Sequence, residues 1–328
     1  MLILLWGGLF VLTLVTLIVA ADFFIKASER IGLAMGISPF IVGVTLIAVG
    51  TSLPELVTSI IAVFKGGATS GIVPGNVIGS NITNMALVLA IVGIMGKEIR
   101  LEFDVMRVDL PMMVGSAFLL LLCLIDGHFS IWEGGLLLAG LALYLTYILA
   151  LSREGKRNAM AMELEPEERE ALPVFSWKDP LILLVSGVVI YFSAEYNVRA
   201  IIELATILNI GQEVIALSAV ALGTSLPELI VSIVAVRVGN AEMAIGNILG
   251  SNIFNIFAVM GIPRLFGEIL VPPSILSFSL PAMIVVSILT LFVLQDKRLT
   301  RWEGWALLLV YGLFLINLFS GEVAASAA

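Results

Sequence analysis

The sequence predicts an all-α membrane protein, with ten transmembrane helices forming two inverted five-helix repeats. Three observations carry that prediction. The 328 residues are 60% hydrophobic and only 13% charged, with a mean hydropathy of +1.11. Soluble domains hold about 25% charged residues, and a soluble chain this apolar would expose patches that monomers avoid. Ten stretches are apolar over the roughly 17–25 residues that a helix needs to span a bilayer. Two polar motifs lie inside such stretches and occur once in each half.

The ten spans are read at 2–20, 37–64, 72–95, 109–125, 131–151, 180–197, 211–236, 244–263, 275–294 and 303–320. In the first, Val19-Ala20-Ala21 resembles a signal cleavage site, but no basic segment precedes the apolar run and the run has a counterpart later in the chain. It is therefore kept as a span. Orientation follows from the basic residues, which concentrate in cytoplasmic loops. With the N-terminus outside, fourteen of the 17 Lys and Arg residues fall in inner segments, and only Lys65, Arg199 and Arg264 fall outside. A multi-pass protein of the plasma or inner membrane is expected, with both termini outside. The longest loop, 152–179, is then cytoplasmic. It is rich in Glu (Glu163, Glu165, Glu167, Glu168, Glu170) and reads as a solvated linker.

Composition also excludes functions. The net charge is −8 and no basic stripe is present, which argues against nucleic acid as a partner. The single Cys123 sits in an apolar run and reads as a small apolar residue. The single His128 stands in a short turn beside Asp126 and Gly127. An intramembrane enzyme would lack a nucleophile–base pair, so the chain is not expected to be an enzyme. Trp132 and Trp302 read as anchors at the membrane interface.

The chain repeats itself. Gly50-Thr51-Ser52-Leu53-Pro54-Glu55-Leu56 recurs unchanged at 223–229. Gly75-Asn76-Val77-Ile78-Gly79-Ser80-Asn81-Ile82-Thr83-Asn84 recurs, with three changes, at 246–255, and Trp132-Glu133-Gly134 recurs at 302–304. This divides the chain into a first repeat (1–151), a linker (152–179) and a second repeat (180–328). Five spans per repeat is an odd number, so the second repeat enters from the opposite side, an architecture that places transported ions near the midplane. Asp22, Lys26 and Arg30 are spaced at i, i+4, i+8, as are Glu195, Arg199 and Glu203; both sets read as interfacial helix pairing.

Glu55 and Glu228 are the informative residues. An ionisable side chain deep in a span costs at least ~2.5–3.5 kcal/mol and requires a compensating partner. No Lys or Arg lies at that depth, so the balancing charge is a bound metal ion or a proton. Pro54 frees the Gly50 carbonyl and loosens that of Thr51, and Pro227 acts likewise on Gly223 and Thr224. Such loosened backbone is tolerated at membrane depth only where it lines a cavity or is buried in protein. Thr51 and Glu55, and Ser80 and Asn84, are four apart and share a helical face. Gly75, Gly79, Gly246 and Gly250 have the spacing that lets helices approach closely. The resulting donors are carboxylate, amide, hydroxyl and carbonyl oxygens, without sulfur or imidazole. That set suits calcium first and sodium second. Two carboxylates neutralise one Ca²⁺ or two Na⁺, so the two ions compete, and competition at one alternating-access site is antiport.

The paired motifs GTSLPEL and GNxxGSNIxN resemble the α-repeats of the sodium/calcium exchanger family, and the chain looks like a compact prokaryotic member. The resemblance implies a Na⁺/Ca²⁺ antiporter with no cofactor, whose partners are the two ions and the bilayer, with no protein partner evident. It implies that Glu55 and Glu228 are central ligands shared between calcium and sodium sites. Thr51, Ser52, Thr224, Ser225, Ser80 and Ser251 would add oxygens, as would the carbonyls of Ala48 and Ala221. Asn84 and Asn255 would complete the centre. The first and sixth spans would slide across the other eight. Potassium-dependent relatives, and some prokaryotic exchangers, carry Asp where this chain has Asn255, and Asn there argues against a potassium requirement. Proton coupling through the same glutamates is the alternative, although proton/calcium exchangers usually carry a different glutamate motif.

Overall fold

The computed structural model describes residues 2–66, 70–161, 176–207 and 225–326, and these are almost wholly helical. In chain order the helices are α1 (Leu2–Met35), α2 (Pro39–Lys65), α3 (Ile72–Gly96), α4 (Asp109–Leu124), α5 (Ile131–Ala161), α6 (Asp179–Ile207), α7 (Leu226–Arg237), α8 (Ala241–Arg264), α9 (Ile275–Leu294) and α10 (Arg301–Ser326). Among the described residues, seven segments are long and apolar enough to cross a membrane: α1, α2, α3, Ile131–Leu151 of α5, Asp179–Leu204 of α6, α8 and α9. The chain is a multi-pass membrane protein.

Several helices differ in extent from the apolar runs. The first does not stop at 20 but continues to Met35, because Phe24, Ile25, Ala27, Ser28 and Gly32 go on burying one face while Asp22 pairs with Lys26 at 2.7 Å on the helix surface. The fifth continues past 151 to Ala161, into the expected linker, and the sixth runs from Asp179 to Ile207 rather than from 180 to 197. The last runs from Arg301 to Ser326, against an expected 303–320. Hydropathy marks the lipid-embedded part of a helix, whereas helix continues wherever one face still packs. Of the seventh span, expected at 211–236, only α7 is described, and the five linker glutamates lie outside the described residues.

The core is two helices deep. In α8, 89% of the most apolar window is buried, and in α3 78%, against 11% in α1. Around that pair, α10 packs on α3 as α5 packs on α8, and α9 packs on α3 as α4 packs on α8, while α1 and α6 run along each other over an extensive interface. Arg30 of α1 ties this pair together through Asp179, with Nη2 to Oδ1 at 2.7 Å. Asn197 of α6 adds a bond from Nδ2 to the Phe10 carbonyl at 3.0 Å.

The Trp-Glu-Gly repeat has two structural roles. Glu133 accepts from Ser130 N at 2.6 Å while Ser130 Oγ accepts from Glu133 N at 3.2 Å. Glu303 and Thr300 do the same at 2.7 and 3.5 Å, so each copy is the capping box that starts its helix. The glycines then admit the neighbouring helix: a Cβ on Gly304 would lie 2.7 Å from the Ala90 carbonyl, and one on Gly134 3.0 Å from Arg264. Trp132 and Trp302 project outward, 84% and 71% exposed. At one end of the bundle β1 (Glu98–Arg100) pairs antiparallel with β2 (Arg298–Thr300), joining the α3–α4 and α9–α10 connections. His128 stands in a turn closed by its own N–H to Asp126 Oδ1 at 2.9 Å, and Cys123 is buried and free.

Candidate functional site

The helix α2 is built inside out relative to a soluble helix. Thr51, Ser52, Glu55 and Ser59 are buried, while Leu53, Val57, Ile61 and Phe64 are exposed. In lipid the apolar face costs nothing to expose, so the polar face turns inward, and the i, i+4 spacing of Thr51, Glu55 and Ser59 puts them on one side. Backbone loosening was expected around Gly50 and Thr51. The helix continues from Ala48 to Lys65 through Pro54, which has no N–H to give the Gly50 carbonyl, and a wide turn lies upstream, at Gly43–Ile47.

That turn is where α8 crosses α2. A Cβ on Gly246 would lie 2.4 Å from the Phe40 carbonyl, and one on Gly250 2.5 Å from the Val44 carbonyl and 2.8 Å from Ala48 Cβ. The two backbones therefore touch directly, as small-residue spacing permits. Gly75 and Gly79 meet no described backbone so closely. By the repeat offset the equivalent stretch is 213–221, outside the described residues.

Three further wide turns were not anticipated, one of them at Ile275–Ser279 in α9, outside the repeated motifs. Asn84 opens one at Asn84–Val88 and Asn255 opens another at Asn255–Val259, at equivalent positions of α3 and α8. An extra residue per turn leaves backbone carbonyls without their usual partners, and such π turns recur at functional sites.

The side chains converge between these helices. Glu55, Glu228, Thr51, Ser52, Ser80, Asn84, Ser225, Ser251 and Asn255 are all buried. Ser52 Oγ donates to Glu228 Oε1 at 3.3 Å, joining the two halves of the chain at the two repeated motifs. Glu55 lies three residues from Ser52 in the same helix, which sets both carboxylates in one buried cluster. Neither takes part in an ion pair among the described residues. Both Glu55 oxygens, Glu228 Oε2, Asn255 Oδ1, Ser225 Oγ and both polar atoms of Asn84 are buried without a hydrogen-bond partner among the described residues. Most buried polar atoms in folded proteins are paired, so this concentration of unpaired oxygens marks a place shaped for something other than protein. Among the described residues no group of three His, Cys, Asp or Glu side chains forms. Two carboxylates with neutral oxygens around them suit a hard cation rather than zinc or copper. Ala48 is fully buried beside this cluster in α2. Ala221 and Thr224 lie outside the described residues.

Sequence reasoning passed over four asparagines of the second motif. Asn76 Nδ2 donates to Ser59 Oγ at 3.2 Å and to the Glu55 carbonyl at 3.4 Å, and Asn247 Nδ2 donates to Ser232 Oγ at 3.0 Å. Asn81 donates to the Asn252 carbonyl at 3.2 Å and accepts from Asn255 Nδ2 at 3.2 Å, stitching α3 to α8. All four recur between the two copies of the motif, which was the signal available.

Comparison with known proteins covers nearly the whole chain. The family model for the sodium/calcium exchanger protein matches residues 5–150 and 178–320. The sodium/calcium exchanger MaX1 of Methanosarcina acetivorans is 34% identical over 341 residues, covering 94% of this chain and 97% of that protein. The inner membrane protein YrbG of Escherichia coli is 31% identical over 312 residues, covering 93% of each. A solved structure of the sodium-calcium exchanger NCX_Mj, soaked with Na⁺ and Ca²⁺, superposes with a TM-score of 0.77 at 28% identity. It covers 96% of this chain and 98% of its own.

Proposed function

The chain belongs to the sodium/calcium exchanger family, and on that premise we propose that it is a secondary active antiporter exchanging Na⁺ for Ca²⁺ across a cell membrane. The observation that carries this reading is the pair of buried carboxylates, Glu55 and Glu228, brought into one cluster at the Ser52–Glu228 bond without a cationic partner among the described residues. Together they neutralise one Ca²⁺ or two Na⁺. Full loads of both would leave a large excess of positive charge in a low-dielectric interior, where Coulomb terms are several times larger than in water. The ions therefore exclude one another, and each must leave before the other binds.

The ligand set in this reading is Glu55 and Glu228 at the centre, with Thr51, Ser52, Ser80, Asn84 and the Ala48 carbonyl from the first repeat. Thr224, Ser225, Ser251, Asn255 and the Ala221 carbonyl come from the second. The repeats are inverted five-helix units, supported by the matching packing of α10 on α3 and α5 on α8 and by the equivalent wide turns at Asn84 and Asn255. Both termini lie outside and 152–179 is cytoplasmic, supported by the distribution of Lys and Arg. With Asn rather than Asp at 255, the described residues of the site offer no third carboxylate to hold K⁺, and exchange proceeds without it.

The test is ⁴⁵Ca²⁺ uptake into proteoliposomes loaded with Na⁺ and diluted into sodium-free buffer, beside vesicles loaded with K⁺ or choline at matched pH. Uptake confined to Na⁺-loaded vesicles is the expected result. Uptake that ignores internal Na⁺ and follows an imposed pH gradient would overturn sodium coupling.

A further inference from the structure

The two asparagine–serine bonds on the flanks of the site are related by the repeat. Ser59 lies one helical turn beyond Glu55, and Ser232 one turn beyond Glu228. Asn76 of α3 reaches Ser59 of α2, and Asn247 of α8 reaches Ser232 of α7, at nearly the same distance. All four side chains are buried. A bond kept in both halves, at the same step from the same glutamate, is a feature of the site rather than an accident of one packing contact.

The orientation of the Asn76 amide is fixed by chemistry. Its Nδ2 faces the Glu55 carbonyl, which can only accept, so the flipped amide would set two lone-pair oxygens against each other. Asn247 donates from Nδ2 to Ser232 Oγ at 3.0 Å, and in that orientation presents Oδ1 to Thr51 Oγ1 at 3.3 Å and to Ser251 Oγ at 3.5 Å. A hydroxyl that ligates a cation must send its single proton elsewhere, leaving its lone pairs for the ion. For Thr51 the alternative acceptors are its own helix carbonyls, Ile47 at 3.1 Å and Ala48 at 3.4 Å. Asn247 offers one acceptor shared by a hydroxyl from each repeat.

We propose that Asn76 and Asn247 are a repeat-related pair of positioning residues: each clips the helix bearing a site glutamate to the helix bearing the Ser/Asn motif, and Asn247 in addition takes the protons of Thr51 and Ser251. They set cation affinity without touching the ion. The identity of the ion rests on the antiporter reading; the clips rest on geometry alone.

The test uses the full chain purified in detergent, with ⁴⁵Ca²⁺ equilibrium binding as the first readout because it needs no counter-ion. Losing a hydrogen bond of this kind is expected to weaken Ca²⁺ binding about tenfold in Asn247→Ala and about threefold in Ser232→Ala. The double variant should bind no more weakly than Asn247→Ala, since the two residues act as one unit. In reconstituted vesicles KM for Ca²⁺ should rise by the same factor while the maximal rate changes less than about twofold. Asn76→Ala and Ser59→Ala should repeat the pattern. Affinities within twofold of the unaltered protein would overturn the proposal, as would effects of the two single variants that simply multiply. If Asn247→Ala fails to fold, Ser232→Ala decides: unchanged affinity there overturns the clip. Normal Ca²⁺ binding by the unaltered protein without sodium-driven flux would sink the antiporter reading and leave the clip to the binding data.

Discussion

Replacing Glu55 by Gln changes one charge and almost no volume, which makes it the sharpest probe of how the site balances cations. Among the described residues both Glu55 oxygens are buried and unpaired, and the only other carboxylate within the cluster is Glu228. On the proposed reading, Ca²⁺ between the two would be neutral overall; with Gln it would carry one uncompensated positive charge. A charge at the bilayer centre costs ~2.5–3.5 kcal/mol at the low end of measured scales, so Ca²⁺ affinity should fall roughly 70- to 400-fold. A single Na⁺ beside Glu228 remains neutral and should still bind. Calcium-dependent thermal stabilisation reads this directly. At Ca²⁺ about 1,000 times Kd the ligand adds about 4 kcal/mol, and a hundredfold loss of affinity leaves about 1.4 kcal/mol. The apo variant should also be more stable than the apo parent, because the repulsion between two facing carboxylates is gone. A variant that keeps the full calcium stabilisation, or loses sodium and calcium stabilisation equally, would refute the charge argument.

Three other outcomes follow from the same geometry. Ser52→Ala removes the donor to buried Glu228 Oε1; bonds to charged groups are worth about 1.5–3 kcal/mol, so KM for Ca²⁺ in vesicle flux should rise about 10- to 100-fold. Gly246→Ala sets a Cβ 2.4 Å from the Phe40 carbonyl and should lower the detergent thermal midpoint, with a cost of about 1–3 kcal/mol, whereas Gly135→Ala, which meets nothing within 4 Å, should be neutral or mildly stabilising. Arg30→Gln strands Asp179, which is buried at the start of α6. Because Arg30 itself is partly exposed, the loss in a denaturation series should fall short of the 3–5 kcal/mol of a fully buried pair, at about 1–3 kcal/mol.

What the sequence revealed follows from what lipid demands. Glu55 and Glu228 stood out because a buried charge in an apolar span has few structural explanations, and the two copies of the motif excluded a chance kink. The turn at His128 and the small-residue crossing at Gly246 and Gly250 were equally legible, since each depends on a residue type that few others replace. Helix ends were not. Hydropathy falls at Asp22, yet α1 continues for another three turns because Phe24, Ile25 and Ala27 pack on. The wide turns at Asn84 and Asn255 leave no mark in composition, because a π turn needs an added residue rather than a special one. Pro54 marked the Gly50 carbonyl, which a proline cannot serve, but gave no sign of the wide turn upstream, where α8 presses on Gly43. Asn76 and Asn247 were visible as letters of a repeated motif, but their partners Ser59 and Ser232 lie on other helices, and a contact between helices cannot be read from spacing along one of them.

The central claim is that sodium and calcium exclude each other at one pair of carboxylates. It is tested most directly by ⁴⁵Ca²⁺ equilibrium binding to the purified protein across a series of Na⁺ concentrations at constant ionic strength. The account predicts an unchanged calcium capacity and an apparent Kd that climbs more steeply than the first power of Na⁺, because two Na⁺ balance the charge of one Ca²⁺. A capacity that falls at constant Kd, or a calcium affinity indifferent to Na⁺, would contradict it.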